Sequence, residues 1–389
     1  MARKQTSSTK APSAQSPAPS PQDLESPEAI AVVDDILAGV GLTHGTRSSR
    51  RGSWAGGERK PVGRKKAEAE RAAAKPKQRP LVLRSPMLDR DGLIHGFSTR
   101  QGGFSRVFRP GLPAGYGDLN LGFTKQDDPE LVRQNRSAFL KALGASGMQG
   151  FGLLQQKHTP VVRILNRPKD AQDDFLEPAA KLGDALMTDV PGILLTVQAA
   201  DCTPVLLFDP VRGAIAAIHA GWRGTLARIV ERAVGTMRLR YGSDPADVLA
   251  AIGPSVGPDS YAVGEEVRHE FESQFAYAPE LFHEVYESDP IRDKYPLLFL
   301  TARAPGHSPI GPQLHLDLWE ANRRQLLDAG VREHHIHVMA EDTAADTGRF
   351  FSYRAEQGFT GRMMAAIGLA AQPAKGDESK RRSRSAGSR

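Results

Sequence analysis

The chain holds one cysteine in 389 residues, Cys202. A single thiol excludes an intramolecular disulfide framework, a four-thiolate zinc site and a thiolate-held iron–sulfur cluster, and it fits a reducing compartment. Aromatic residues make up only 6% of the sequence, and no apolar run reaches eighteen residues, so a membrane-spanning helix is not expected. Residues 1–22 lack the apolar stretch of a secretory signal. Acids at Asp23, Glu25, Glu28, Asp34 and Asp35 disfavour a mitochondrial transit peptide. These absences predict a soluble, cytoplasmic protein. Neither a P-loop nor a GxGxxG fingerprint after a strand is present, so nucleotide-dependent phosphoryl transfer and NAD chemistry lack their usual scaffolds.

The net charge of +6 suggests a polyanion binder until it is divided along the chain. Residues 1–80 carry fifteen Lys and Arg against eight Asp and Glu, and residues 371–389 carry six against two. That leaves thirty against thirty-five for residues 81–370, an acidic balance. The excess positive charge sits in two tails and speaks to solubility and weak nucleic-acid contacts rather than to a specific nucleic-acid partner.

The first 80 residues are rich in Ser, Pro, Ala, Lys and Arg, a composition that buries too little apolar surface to offset the entropy of ordering. Residues 1–80 and 371–389 are therefore expected to be disordered. Within the first tail, Pro27 opens a stretch to Leu42 with Ile30, Val33, Ile36, Leu37 and Val40 on one helical face, either a short docking helix or a transient turn. The runs Arg64-Lys65-Lys66 and Lys380-Arg381-Arg382 read as solvated charge.

From residue 81 short apolar runs alternate with Gly, Pro and Asp, the texture of one mixed α and β globular domain over residues 81–370. Strands are expected at 93–99, 152–157, 161–165, 185–188, 193–198, 204–208, 214–219, 248–252, 314–316, 336–339 and 350–353. Helices are expected at 130–143, 225–241, 265–274 and 318–329. Leu226, Ile229, Val230, Ala233, Val234 and Met237 repeat at helical spacing, and Gly242 stands where a C-terminal cap belongs. The runs either side of Asp209-Pro210-Val211-Arg212-Gly213 are close enough to form a hairpin.

Three side chains near turn-like sequence offer soft or borderline ligands: His158, Cys202 and His219. Their spacings of 44 and 17 residues match no compact zinc finger, and a lone Cys or His is ordinarily a small core residue or a satisfied imidazole. Each nevertheless follows or ends an expected strand. Two imidazoles and a thiolate with a fourth position open to water would make a catalytic zinc site. Cys202 with His219 as base is the rival, a nucleophilic hydrolase pair with Asp201 beside it. A second group, Arg100 near Gly102-Gly103, Asn120 in Leu119-Asn120-Leu121-Gly122, and Arg223 before the 225–241 helix, suits anions and hydroxyls. Tight turns and surface ion pairs would account for the same residues.

In order along the chain come HGFSTRQGG at 95–103, DLNLG at 118–122, LLQQKH at 153–158, DALMT at 184–188, VQAADCTPVLLFD at 197–209, IAAIHAGWRGT at 215–225, AIGPSVGPDSYAVGEEV at 251–267, LDLWEANRRQL at 316–326 and FFSYRAEQGFTGRM at 350–363. This series resembles the laccase-domain family, first described as multicopper polyphenol oxidases and also as zinc-containing purine nucleoside phosphorylases with adenosine deaminase activity. The resemblance implies an α/β/β/α sandwich and a metal, zinc or else copper, on His158, Cys202 and His219. It implies adenosine, inosine, guanosine and methylthioadenosine as substrates with phosphate as co-substrate. By motif position Arg100 would bind phosphate with Asn120 and Gln155 as polar partners, and Arg223 would contact substrate.

Two departures stand out. Many relatives carry Gly after the first ligand histidine, where this chain has Thr159-Pro160, and a Cys-Thr pair where this chain has Asp342-Thr343. Copper oxidase chemistry is not expected. Blue and trinuclear copper centres need about ten His ligands in repeated His-x-His patterns, and the 81–370 region offers only His335-Ile336-His337. The family is also linked to removing misincorporated amino acids from peptidoglycan precursors, which keeps a Cys202-dependent editing hydrolase as the alternative.

Overall fold

The computed structural model describes residues 78–285 and 312–371, all within a compact unit spanning Lys65–Arg389. The expected helix at 27–42, the basic runs at 64–66 and 380–382 and the order of both tails lie outside the described residues. Strands β1 to β6 are Val82–Leu83, Leu93–Ser98, Gln101–Ser105, Gly150–Gly152, Leu154–Gln155 and Val162–Ile164. Then follow β7 (Lys181–Leu182), β8 (Ala185–Thr188), β9 (Ile193–Ala199), β10 (Thr203–Asp209), β11 (Ala214–Ala220) and β12 (Leu249–Ile252). The last four are β13 (Phe282–Val285), β14 (Gln313–Leu316), β15 (Ile336–Val338) and β16 (Met363–Leu369). The helices are α1 (Pro129–Leu143), α2 (Trp222–Leu226), α3 (Ile229–Tyr241), α4 (Glu265–Gln274) and α5 (Leu318–Asp328).

Strand side chains alternate between faces, and here both faces are apolar. In β10, Val205 and Leu207 pack with Val230 and Ala233 of α3, whereas Leu206 and Phe208 pack with Leu195 and Ile367. Such continuous apolar runs mark strands buried on two sides. A six-stranded sheet, β15-β12-β10-β11-β8-β6, therefore lies between α3 and a five-stranded sheet, β1-β2-β16-β9-β4. On the outer face of the second sheet, Phe139 and Leu143 of α1 cover Leu194, Met364 and Ala366. The layers are helix, sheet, sheet, helix, the sandwich that the family resemblance implied.

Local chemistry sets the helix ends. Asp128 and Asp317 cap α1 and α5 through their carboxylates, and Gly242 closes α3 in the left-handed conformation at φ 69°. Three expectations are corrected, and one central strand was not expected. The helix expected at 225–241 starts earlier, at Trp222, and is broken at Arg228 (φ 59°), whose guanidinium bonds Glu231 and the Gln274 carbonyl. The strand expected at 152–157 divides because β4 joins the five-stranded sheet while β5 pairs with β7. Residues 350–353 form a loop, with Phe350 and Phe351 fully buried as packing residues. Met363–Leu369 forms a central strand that no expectation covered, because Met and Ala carry no β signal and burial between β2 and β9 decides the conformation.

Candidate metal centre

The hairpin turning at residues 210–213 pairs β10 with β11 from Asp209↔Ala214 to Thr203↔Ala220. Cys202 stands one residue before β10 and His219 one residue from the end of β11, so register alone brings the thiol and the imidazole to one end of the sheet. Gly221 lies opposite Cys202 one step beyond that ladder. A Cβ there would come within 2.8 Å of both Cys202 Sγ and His158 Cδ2, so only glycine leaves room for the two side chains to approach.

His158 arrives from the loop after β5, with its backbone in the left-handed region at φ 60°; Asp201 is also left-handed, at φ 81°. Non-glycine residues rarely adopt this conformation, and it persists where surrounding bonds hold it. For His158 the holder is Asp184, fully buried at the start of β8. Its carboxylate accepts from the amides of Lys157, His158 and Thr159 and from the Thr159 hydroxyl, and Oδ1 stands 2.9 Å from His219 Nδ1. Thr159 thus gives the turn two donors to Asp184, its amide and its hydroxyl. A carboxylate on Nδ1 leaves Nε2 of His219 free for a metal.

The ligand atoms of His158, Cys202 and His219 lie within 4.8 Å of one another, the one such group among the described residues. Cys202 Sγ is 3.6 Å from His158 Nε2, close to the ~3.6 Å that tetrahedral geometry gives for Zn–S and Zn–N bonds of about 2.3 and 2.05 Å. His158 is exposed, Cys202 half-buried and His219 buried, which leaves an open side. Burial would raise the Cys202 thiol, but the His219 and His158 rings outweigh it and bring its pKa to about 6. Burial pushes His219 down, and Cys202 with Asp184 raises it to about 9. An ionised sulfur facing two imidazoles is the donor set that a borderline-soft divalent ion prefers.

Asp201, weighed from the sequence as the partner of a Cys–His pair, does not face His219. It accepts from the Thr343 hydroxyl at 2.8 Å and the Arg354 amide at 2.6 Å. Thr343 therefore pins the cysteine loop. Burial raises the Asp201 pKa, opposed by those bonds.

The remaining expected residues separate. Arg100 is 1% exposed and saturated. It holds Asp118 through Nε and Nη2 and Glu356 through Nη1, and it donates to the carbonyls of Thr347 and Phe350. The expected phosphate role is corrected on this ground: its donors are committed to the protein. Asn120, fully buried, donates to Gly122 and Asp127 and accepts from the amides of Gly122 and Arg362. Its amide is likewise occupied by the fold. Gln155 is exposed on β5 and donates to the Ala179 carbonyl. Arg223 lines an open cavity of about 700 Å³ together with Trp222, Tyr261, Glu266 and Arg354. Its guanidinium lies 4.2 Å over the Trp222 ring, and that of Arg354 5.1 Å over Tyr261. None of the three donor residues lines the cavity, but two lining residues are tied to them: Trp222 follows Gly221, and the Arg354 amide donates to Asp201, the neighbour of Cys202.

Sequence reasoning missed Asp184, Gly221 and Tyr261 as site residues. The acid of DALMT, set before four buried strand residues, was the available signal for Asp184.

The described residues form a two-sheet sandwich of α/β/β/α architecture that carries, at the ends of two central strands, one His/Cys/His group able to hold a metal ion. Residues 94–370 match the family described as multi-copper polyphenol oxidoreductase laccase, and the chain belongs to that family. It is 37% identical over 289 residues to a purine nucleoside phosphorylase of Deinococcus radiodurans, covering 74% of this chain and 92% of the relative. It is 33% identical over 280 residues to purine nucleoside phosphorylase YlmD of Geobacillus stearothermophilus, covering 71% and 90%. The crystal structure of YlmD from Geobacillus stearothermophilus superposes with a TM-score of 0.58 at 30% identity, over 77% of this chain and 98% of that one. No described helix is long and apolar enough to cross a membrane.

Proposed function

We propose that residues 81–370 form a cytoplasmic purine nucleoside phosphorylase that cleaves adenosine, inosine, guanosine and methylthioadenosine with phosphate and also deaminates adenosine. The observation that carries this reading is the His158, Cys202 and His219 group, within 4.8 Å of one another at the end of the central β10–β11 hairpin. Relatives named purine nucleoside phosphorylase support the substrate class. The donor set suits zinc, with copper the other candidate. Such an ion, when bound, polarises a coordinated water to a pKa of about 7, the chemistry a C6 deamination requires. Around it the chain's own groups have separable tasks. Asp184 fixes the ring of His219 and the turn of His158, Trp222 and Tyr261 offer apolar faces to a purine, and Arg223 with Arg354 supplies positive charge along the cavity.

The test is incubation of the purified full chain with adenosine and phosphate, with products separated chromatographically. Adenine with ribose 1-phosphate, or inosine, is expected. Cys202→Ala is expected to lose both metal and activity while keeping most of the fold, and equal zinc content in mutant and parent contradicts the assignment.

One observation favours a second reading. His219 bridges Cys202 and Asp184, which is also the arrangement of a nucleophilic Cys–His–Asp relay. A peptidoglycan-precursor editing hydrolase would use it without metal. Inertness toward nucleosides together with a metal-independent, Cys202-dependent amidase activity selects that reading.

A further inference from the structure

Arg362 directly precedes β16, whose register with β9 pairs Met363 with Ala199. One step further along that register it lies opposite Ala200, two residues from Cys202. Its amide donates to Asn120 Oδ1 at 2.9 Å. Its Cβ and Cγ fill the space over Gly122, where a glycine Cβ would come within 2.7 Å of them. The DLNLG segment therefore clamps the backbone and stem of this arginine beside the cysteine loop.

The guanidinium itself is nearly unpartnered. Its one hydrogen bond goes to the Gly361 carbonyl at 2.8 Å, and it lies 5.7 Å from the centre of the Tyr353 ring. No carboxylate among the described residues is in ion-pair distance, whereas Arg100, Arg109 and Arg349 each have one. Arg223 and Arg354 also lack ion pairs among the described residues, but they are exposed, where water screens the charge. Fully buried Arg136 lacks one too, but the carbonyls of Leu121, Phe175 and Glu177 take its donors, whereas half-buried Arg362 reaches a single carbonyl. Burial lowers its pKa, against the fields of Cys202, Tyr353 and Asp201. A desolvated cation without a counter-ion is costly and is retained where an anion comes to it. The Cys202 thiolate cannot serve once a metal engages it.

Resting on the phosphorylase reading, we propose that Arg362 binds the phosphate dianion at the metal group. Its fork would take two phosphate oxygens in the bidentate manner of guanidinium. A third oxygen forms the bond to ribose C1′ as the C1′–N9 bond breaks, and the electron pair leaves with the purine, which takes a proton from solvent.

Arg362→Gln and Arg362→Lys are compared with the parent chain by titration calorimetry with inorganic phosphate and by zinc content. Arg362→Gln is expected to weaken phosphate binding at least tenfold and to raise the KM for phosphate alike, with zinc content retained. Arg362→Lys, which keeps charge but loses the fork, is expected to fall between. Phosphate affinity unchanged in Arg362→Gln, undetectable in the parent, or unchanged while zinc is lost overturns the assignment; the last result makes Arg362 a counter-ion of Cys202. Adenosine 5′-monophosphate separates the phosphate sources, and Arg362-dependent binding of that nucleotide in preference to free phosphate also overturns it. Arg362-dependent phosphate binding in a chain that cleaves no nucleoside upholds the anion site and rejects the phosphorylase reading.

Discussion

Asp184 Oδ1 lies 2.9 Å from Nδ1 of His219 and 3.0 Å from the amide nitrogen of His158, so one buried carboxylate orients two ligands that are 61 residues apart. Burial works against its charge, yet the His219 ring and the Thr159 donors outweigh that and hold its pKa below the usual carboxylate value. Asp184→Asn keeps the volume but sets an N–H group against donors. Partners of this kind typically control metal affinity by about 10–100-fold. A loss in that range is expected in chelator competition, with an unchanged far-UV circular dichroism spectrum.

Gly221→Ala tests the close approach of sulfur and imidazole. The backbone at Gly221, φ −72° and ψ 171°, accepts alanine, so the only obstacle is the Cβ, 2.8 Å from Cys202 Sγ and from His158 Cδ2. Metal occupancy is expected to fall at least tenfold while the melting temperature of the chelator-treated protein moves little. Equal zinc content in the two proteins counts against this account of the glycine.

Arg100→Met separates a structural from a substrate role. The substitution leaves Glu356 without its Arg100 contact and fully buried Asp118 with only Arg109. Breaking one partner of a buried pair costs about 3 kcal/mol or more. Urea denaturation should register that loss, and the phosphate KM of the folded fraction should stay near the parent value.

His95 links stability to pH away from the metal group. Burial, together with nearby Arg84, lowers its pKa from 6.5 to about 4, while its Nε2 meets the backbone of Ser85. The unfolded chain takes up a proton below pH 6.5 that the folded chain refuses until about 4. Stability should therefore fall as pH drops through that interval. His95→Gln should flatten the dependence of the urea midpoint between pH 7 and pH 4.5.

Much of the fold was legible because its causes are local. Apolar runs at 193–198, 204–208 and 214–219 marked strands, which the structure buries on both faces, and the turn at 209–213 set a hairpin. The long periodic helix was legible as a helix, yet its break at Arg228 was not; the guanidinium there bonds the Gln274 carbonyl, forty-six residues away. Strand β16 was missed for a related reason. Met363-Met364-Ala365-Ala366 favours no strand by itself, and its conformation follows from the two strands that flank it.

The candidate site divides in the same way. Cys202 and His219 are neighbours because a hairpin pairs residues whose numbers have a constant sum, a relation already contained in the turn that joins β10 and β11. Sequence alone thus determined the main strand runs, the hairpin that makes Cys202 and His219 neighbours, and the Gly242 cap, all consequences of short-range periodicity and turn chemistry, while the layered sandwich and the candidate ligand set were implied by the family resemblance. Only the tertiary structure decided that His158 joins Cys202 and His219 through Asp184, that Arg100 is bound to carboxylates, and that Arg362 meets none among the described residues. A charge carries no mark in the sequence of the partner it will meet, because that partner is chosen by contacts between segments far apart along the chain.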